Sequence, residues 1–161
     1  MCFWFGRDKN IKTVKELAQK CKTPHSLSIW TRRNITYKDD YEMHGVKDYW
    51  QTSEETLLSR MGDCEDFAIL QHDVLKILGF DPQVIVVCDS SQAHGVCVYR
   101  EKGVMYHMSN WKMKACHGAK EIKDIGRYVF RNWRIIEVYD VTDISNGRAR
   151  IIQRIFRGVD L

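Results

Sequence analysis

An α+β domain is the fold this sequence predicts, and three observations predict it. Apolar residues recur at helical spacing through the first part of the chain. A longer helical stripe then opens at Asp63–Cys64 and closes at Gly79. Segments rich in valine and tyrosine follow, a composition that suits strands. Helices come first and an antiparallel sheet after, which differs from the alternation of a βαβ protein.

Each element has its own signal. Ile11 to Cys21 carries apolar residues at 11, 14, 17 and 18, and Pro24 ends that helix. Ser26 is the expected cap of a second helix running to Arg33, with Leu27 and Trp30 buried. Ile35 to Tyr37 is extended, and Lys38 to Trp50 reads as a surface loop. Thr52 with Glu55 forms a capping-box pattern for a helix over 53–60. Phe67, Ala68, Leu70, Val74, Leu75 and Leu78 make the buried stripe of the long helix, and Pro82 forbids its continuation. Gln83–Cys88, His94–Arg100 and Val104–Asn110 are the strands, with Glu101–Lys102–Gly103 as a three-residue hairpin loop. A helix is expected over Ala119–Phe130 and a strand over Trp133–Val141. Residues 148–159 place Ile151, Ile152, Ile155, Phe156 and Val159 at helical spacing opposite arginines, which predicts a terminal helix.

The 161 residues suit a single domain, 1–161, and no linker or internal repeat divides them. Hydrophobic residues at 44% supply one packed core, and charged residues at 29% keep the surface wet. No apolar run approaches the ~20 residues of a membrane span, and the apolar start is too short for a secretory signal. The net charge is +4, with a late cluster at Arg127, Arg131, Arg134, Arg148, Arg150, Arg154 and Arg157. A solvated basic face is the reading of that cluster, so nucleic acid is not the expected partner. The sequence leaves the oligomeric state open. Six cysteines without a CxxC pair argue against structural zinc and read as reduced thiols of a cytoplasmic protein.

Chemistry concentrates at Gly62–Asp63–Cys64–Glu65–Asp66–Phe67–Ala68. The pattern puts Cys64 in the first turn of a helix, where unpaired N–H groups and the helix dipole favour a thiolate. Asp63, Glu65 and Asp66 oppose this by raising the thiol pKa. As neighbours on one helix they also point in different directions, so no metal or other cofactor is expected there. A positive partner for the sulfur is then needed. His94, at the start of the second strand, is the histidine able to cross the helix N-terminus and serve as base. An ion pair between them would keep Cys64 alkylation fast down to about pH 6.

The hairpin supplies a third member. With residues 101–103 as loop, His94 stands opposite Asn110, ~4.5–5.5 Å away at Cβ. A loop one residue shorter, Glu101–Lys102, puts Ser109 there instead. In the 101–103 register His107 faces the other way, with Cys97 as its partner.

Asp48–Tyr49–Trp50–Gln51–Thr52–Ser53–Glu54–Glu55–Thr56–Leu57, GDCEDFA at 62–68, Leu78–Gly79–Phe80 and His94–Gly95–Val96 together resemble the transglutaminase-like superfamily. The similarity is greatest to its bacterial and phage transglutaminase-like cysteine peptidase branch and spans roughly residues 30–112. It implies a papain-like core in which the catalytic helix packs on an antiparallel sheet. It also implies a Cys–His–Asp or Asn triad, onto which Cys64 and His94 map. Ser109–Asn110 stands where many relatives have Asp, often followed by Asn. Trp50–Gln51 occupies the segment that can donate to an oxyanion hole, with the Cys64 backbone N–H as the other donor. The implied activity is thiol-dependent cleavage of an amide or peptide bond in a protein or peptide substrate. The alternatives are transfer of the acyl group to an amine, and a catalytically silent domain that binds a protein through its basic C-terminal helix.

Overall fold

A computed structural model describes residues 8–158. The apolar N-terminal residues 1–7 and the last three residues, Val159 among them, lie outside the described part.

The helical layer comes first. Thr13 caps α1 (Val14–Lys20) in a reciprocal box with Glu16. Thr23, rather than Ser26, caps α2 (Pro24–Asn34). The difference follows from Pro24, whose fixed φ and missing N–H suit the first helical position, leaving Ser26 as the reciprocal partner. A short parallel pair follows, β1 (Thr36–Tyr37) against β2 (Met61–Gly62). The stretch expected as loop contains a short helix, α3 (Asp40–His44), because Asp39 accepts the Glu42 N–H and Gly45 closes it in a left-handed conformation. Thr52 and Glu55 form the expected capping box of α4 (Ser53–Ser59). The long helix α5 runs Cys64–Ile77.

Six antiparallel strands complete the chain: β3 (Gln83–Cys88), β4 (Ala93–Glu101), β5 (Val104–Ser109), β6 (Lys112–Ala115), β7 (Ile135–Ser145) and β8 (Arg148–Phe156). Their spatial order is β6-β5-β4-β3-β7-β8. Alternation along each strand sends side chains to two cores. Val84, Cys97, Tyr99 and Met108 join Phe67, Leu70 and Val74 of α5 on one face. Ile85, Val87, Val96 and Val98 meet Ile125 and Trp133 on the other, under α6 (Ile122–Val129). Among the described residues no helix is long and apolar enough to cross a membrane.

Two expectations fail here for the same reason, a two-residue turn. Asn146 and Gly147 both take positive φ, 52° and 68°, which folds the chain back on β7. The segment expected as a terminal helix is therefore the edge strand β8. Its arginines meet acids of β7: Arg150 bonds Asp140 at 2.8 Å and Arg154 bonds Glu137 at 2.8 Å. The proposed basic contact helix does not exist in this form. Likewise Lys102 and Gly103 take φ of 48° and 80°, so the β4–β5 loop has two residues and Glu101 pairs with Val104. The register moves by one from that expected. His107 pairs with Val98, not Cys97, and its Nδ1 lies 3.1 Å from the Cys116 sulfur.

Candidate active site

Cys64 is the first residue of α5, at the edge of a cleft of about 450 Å³. The cleft is lined also by His94, Gly95, Trp50, Cys88, Glu65 and the β7–β8 residues Tyr139, Arg148 and Ile151. Tertiary packing thus brings Cys64 and His94, thirty residues apart in sequence, into one cavity.

The approach of β4 to the helix N-terminus depends on Gly95. A Cβ at that position would lie 3.2 Å from Glu65 Cα and N and 3.4 Å from the Cys64 carbonyl carbon. Without it, the Gly95 N–H reaches the Cys64 sulfur at 3.4 Å. In the sequence Gly95 stands out only as part of the His94–Gly95–Val96 segment, and its place directly after His94 is the signal for this close approach.

The helix start is braced from behind. Asp66 is fully buried and accepts from Gln51 N–H at 2.8 Å, Gln51 Nε2 at 2.6 Å and Asp63 N–H at 3.2 Å. Burial still outweighs these bonds and pushes its carboxyl up to about 7. Gln51 also bonds the Met61 carbonyl at 3.0 Å. Both of its N–H groups are committed, and it is buried away from the cleft. Trp50 does line the cleft, but its backbone N–H goes to Gly147 O at 2.9 Å and its indole N–H to Asp48 at 3.1 Å. The two residues expected as oxyanion donors are therefore employed in structure, because the β7–β8 turn and Asp66 claim their N–H groups.

His94 Nε2 lies 2.7 Å from Ser109 Oγ. Extending the observed register places position 94 opposite 111, so Ser109 is a diagonal neighbour on the same face, within reach of a side chain. Asn110, expected as the direct partner, makes no hydrogen bond to His94. It sits in a left-handed conformation at φ 51°, its carbonyl accepts from Gln71, and its side-chain oxygen is buried without a partner. Burial lowers the His94 pKa, which keeps the ring neutral and basic near neutral pH.

The thiol has another partner. Cys64 Sγ donates to Glu65 Oε2 at 2.7 Å, and among the described residues no hydrogen bond joins it to His94. Burial first, then the Glu65 charge, raise the thiol pKa well above its ordinary value. The acidic side of the balance weighed from sequence prevails over the helix dipole, and the Cys64–His94 ion pair is not present in this arrangement.

The acidic groups also converge, contrary to the argument from helix geometry. Asp40, Asp48 and Glu65 each place a carboxylate oxygen within 4.8 Å of the others, as do Asp40, Asp63 and Asp66. Convergence comes from different elements, the α3 start and the following loop meeting the α5 start. Asp40 Oδ1 and Asp63 Oδ1 are buried without hydrogen-bond partners. Burial and the surrounding carboxylates push the Asp63 carboxyl up to about 9.

A cysteine at the start of a helix packed on an antiparallel sheet, with a strand histidine in the same cleft, defines a papain-like, transglutaminase-like architecture. Two solved structures share it. Legionella pneumophila LapG aligns at a TM-score of 0.51 and 20% identity over 63% of this chain and 63% of that one. Its calcium-bound form aligns at a TM-score of 0.57 and 16% identity over 80% of this chain and 72% of that chain. In the first of these alignments the chain spans less than two thirds of that protein's length. No curated protein matches the sequence. The family model of the bacterial transglutaminase-like cysteine proteinases matches residues 6–116, more than half of the chain. The chain belongs to that family of cysteine peptidases.

Proposed function

We propose that this protein hydrolyses peptide bonds in a protein substrate, with Cys64 as nucleophile, His94 as general base and Ser109 as the group that orients the ring. The observation that carries the reading is the cleft shared by Cys64 and His94, whose ring Nε2 lies 2.7 Å from Ser109 Oγ. His94 takes the thiol proton as sulfur attacks the scissile carbonyl. It returns that proton to the leaving amine, and a thioester remains on Cys64. Water, deprotonated by the same ring, then releases the acid and restores the thiol. Water rather than an amine is the acyl acceptor in this reading.

The thiol's bond to Glu65 is the obstacle, and the acidic cluster offers its removal. Asp40, Asp48, Asp63 and Glu65 are hard oxygen ligands of the kind that hold calcium, and two of the buried oxygens lack partners. The calcium-bound form of LapG supports assigning a calcium site to these residues. The ion's charge would offset the carboxylates that disfavour a thiolate.

The test is hydrolysis of an unfolded protein such as reduced casein, with and without added calcium. Hydrolysis that vanishes in Cys64→Ala supports the peptidase. A wild-type protein that cleaves nothing under either condition, and whose Cys64 is alkylated no faster than Cys88, would leave a silent binding domain as the better reading.

A further inference from the structure

We propose that the phenol of Tyr37 donates the second hydrogen bond of the oxyanion hole, beside the backbone N–H of Cys64. The inference rests on the peptidase reading and adds a catalytic residue to it.

An acyl transfer at Cys64 places negative charge on the former carbonyl oxygen, and that charge needs donors with nothing else to bond. The usual suppliers near the cleft are occupied. Trp50 and Gln51 give their backbone N–H groups to Gly147 and Asp66. The Gln51 amide goes to Asp66 and Met61, and the Trp50 indole to Asp48. The Gly95 N–H points at the sulfur itself. The Cys64 N–H belongs to the first turn of α5 and has no partner within the helix.

Tyr37 is placed to supply what is missing. In β1 it stands opposite Gly62, two residues before the nucleophile. The Lys38 N–H bond to the Gly62 carbonyl, 3.0 Å, fixes that register just past it. Tyr37 is 47% exposed, so its side chain reaches solvent rather than packing into the core. Among the described residues its hydroxyl makes no hydrogen bond. Burial pushes its pKa up to about 12, and the charges adding to this are Cys64 first, then Asp63 and Glu65. The phenol therefore keeps its proton at neutral pH and feels negative charge arising at Cys64 more than any other charge. An oxygen that becomes negative on a carbon bonded to Cys64 meets the same donor.

A probe with a known acyl group makes the test independent of the natural substrate. With p-nitrophenyl acetate the Cys64 sulfur–carbon bond forms, p-nitrophenolate leaves, the thiol proton passes to His94, and an S-acetyl group stays on Cys64. Intact mass follows this acylation in wild type, Tyr37→Phe and Tyr41→Phe, the last a tyrosine exposed on α3. Iodoacetamide alkylation of the same proteins is the control, because displacement at a CH2 carbon generates no oxyanion. Tyr37→Phe should slow acylation by roughly tenfold to hundredfold and leave alkylation and the melting temperature unchanged. Tyr41→Phe should behave as wild type. Equal acylation in wild type and Tyr37→Phe would overturn the assignment, as would acylation and alkylation falling together, which marks a structural role. A wild-type Cys64 that is acylated no faster than Cys88 would instead bring down the peptidase reading, and the Tyr37 role with it.

Discussion

Replacing Gly95 by alanine tests whether strand β4 positions Cys64, the proposed nucleophile. The new Cβ would stand 3.2 Å from both Glu65 N and Glu65 Cα and 3.4 Å from the Cys64 carbonyl carbon. All three contacts are backbone atoms of the first turn of α5, so no flexible side chain is available to swing aside. Relief to an ordinary carbon–carbon separation of ~3.5–4.0 Å requires the strand and the helix start to part by a few tenths of an ångström. The Gly95 N–H to Cys64 sulfur distance, already 3.4 Å, lengthens with it. Overpacking of this kind costs about 1–3 kcal/mol. At about 2–4 °C per kcal/mol for a chain this size, the melting temperature should fall by roughly 2–12 °C. Displacement by 1 Å can cost ~10²-fold in rate, so a shift of a few tenths should slow Cys64 acylation by several-fold to about tenfold. Differential scanning calorimetry and p-nitrophenyl acetate acylation followed by intact mass read the two effects. A Gly95→Ala protein that melts and acylates as wild type does would refute the reasoning, because the close approach would then constrain neither packing nor chemistry.

The remaining expectations concern the third member, the thiol and the acidic cluster. Ser109→Ala should lower peptidase turnover markedly while substrate KM holds, whereas Asn110→Ala should act through stability because its side chain does not reach His94; the reverse ranking in a kcat comparison would restore Asn110 as the orienting residue. The raised Cys64 pKa means the thiol form predominates at neutral pH, so without calcium its alkylation should keep climbing, about tenfold per pH unit, through pH 8.5. A plateau between pH 6 and pH 8, at ~6–8, would instead reveal the ion pair with His94. Asp63 and Asp66 have folded pKa values of about 9 and about 7, above the unfolded value of ~3.9. Their contribution to stability is complete below the unfolded value and is lost as pH rises from there through the folded ones, so the melting temperature should drop between about pH 4 and about pH 9. Added calcium should recover that loss in wild type and not in an Asp40→Asn, Asp48→Asn double variant; equal recovery in both would place the ion elsewhere.

Local signals in the sequence determined a good deal. Thr52 and Glu55 specify their helix start by hydrogen bonds three residues apart, and the apolar stripe from Phe67 to Leu75 specifies a helix buried on one side. Cys64 at that helix start and His94 at a strand start are positions that spacing alone makes legible. Where the sequence reading erred, the outcome hung on one or two turn residues. Lys102–Gly103 shifted a register by one, which put position 111 rather than Asn110 opposite His94 and left Ser109 as the diagonal neighbour that its ring meets. Asn146–Gly147 reversed the chain and turned an amphipathic terminal helix into an edge strand, since Ile151 and Ile155, four residues apart, satisfy either periodicity, while Ile152 is left exposed. Only the tertiary structure decided the electrostatics of the site. Helix geometry spreads Asp63, Glu65 and Asp66 apart, but Asp40 and Asp48 arrive from α3 and the loop after it, and burial then raises the proton affinities of Asp40, Asp63, Glu65 and Asp66. The same holds for which N–H groups remain free near Cys64: a donor's availability depends on partners such as Gly147 and Asp66, which lie far from Trp50 and Gln51 in sequence and adjacent to them in space.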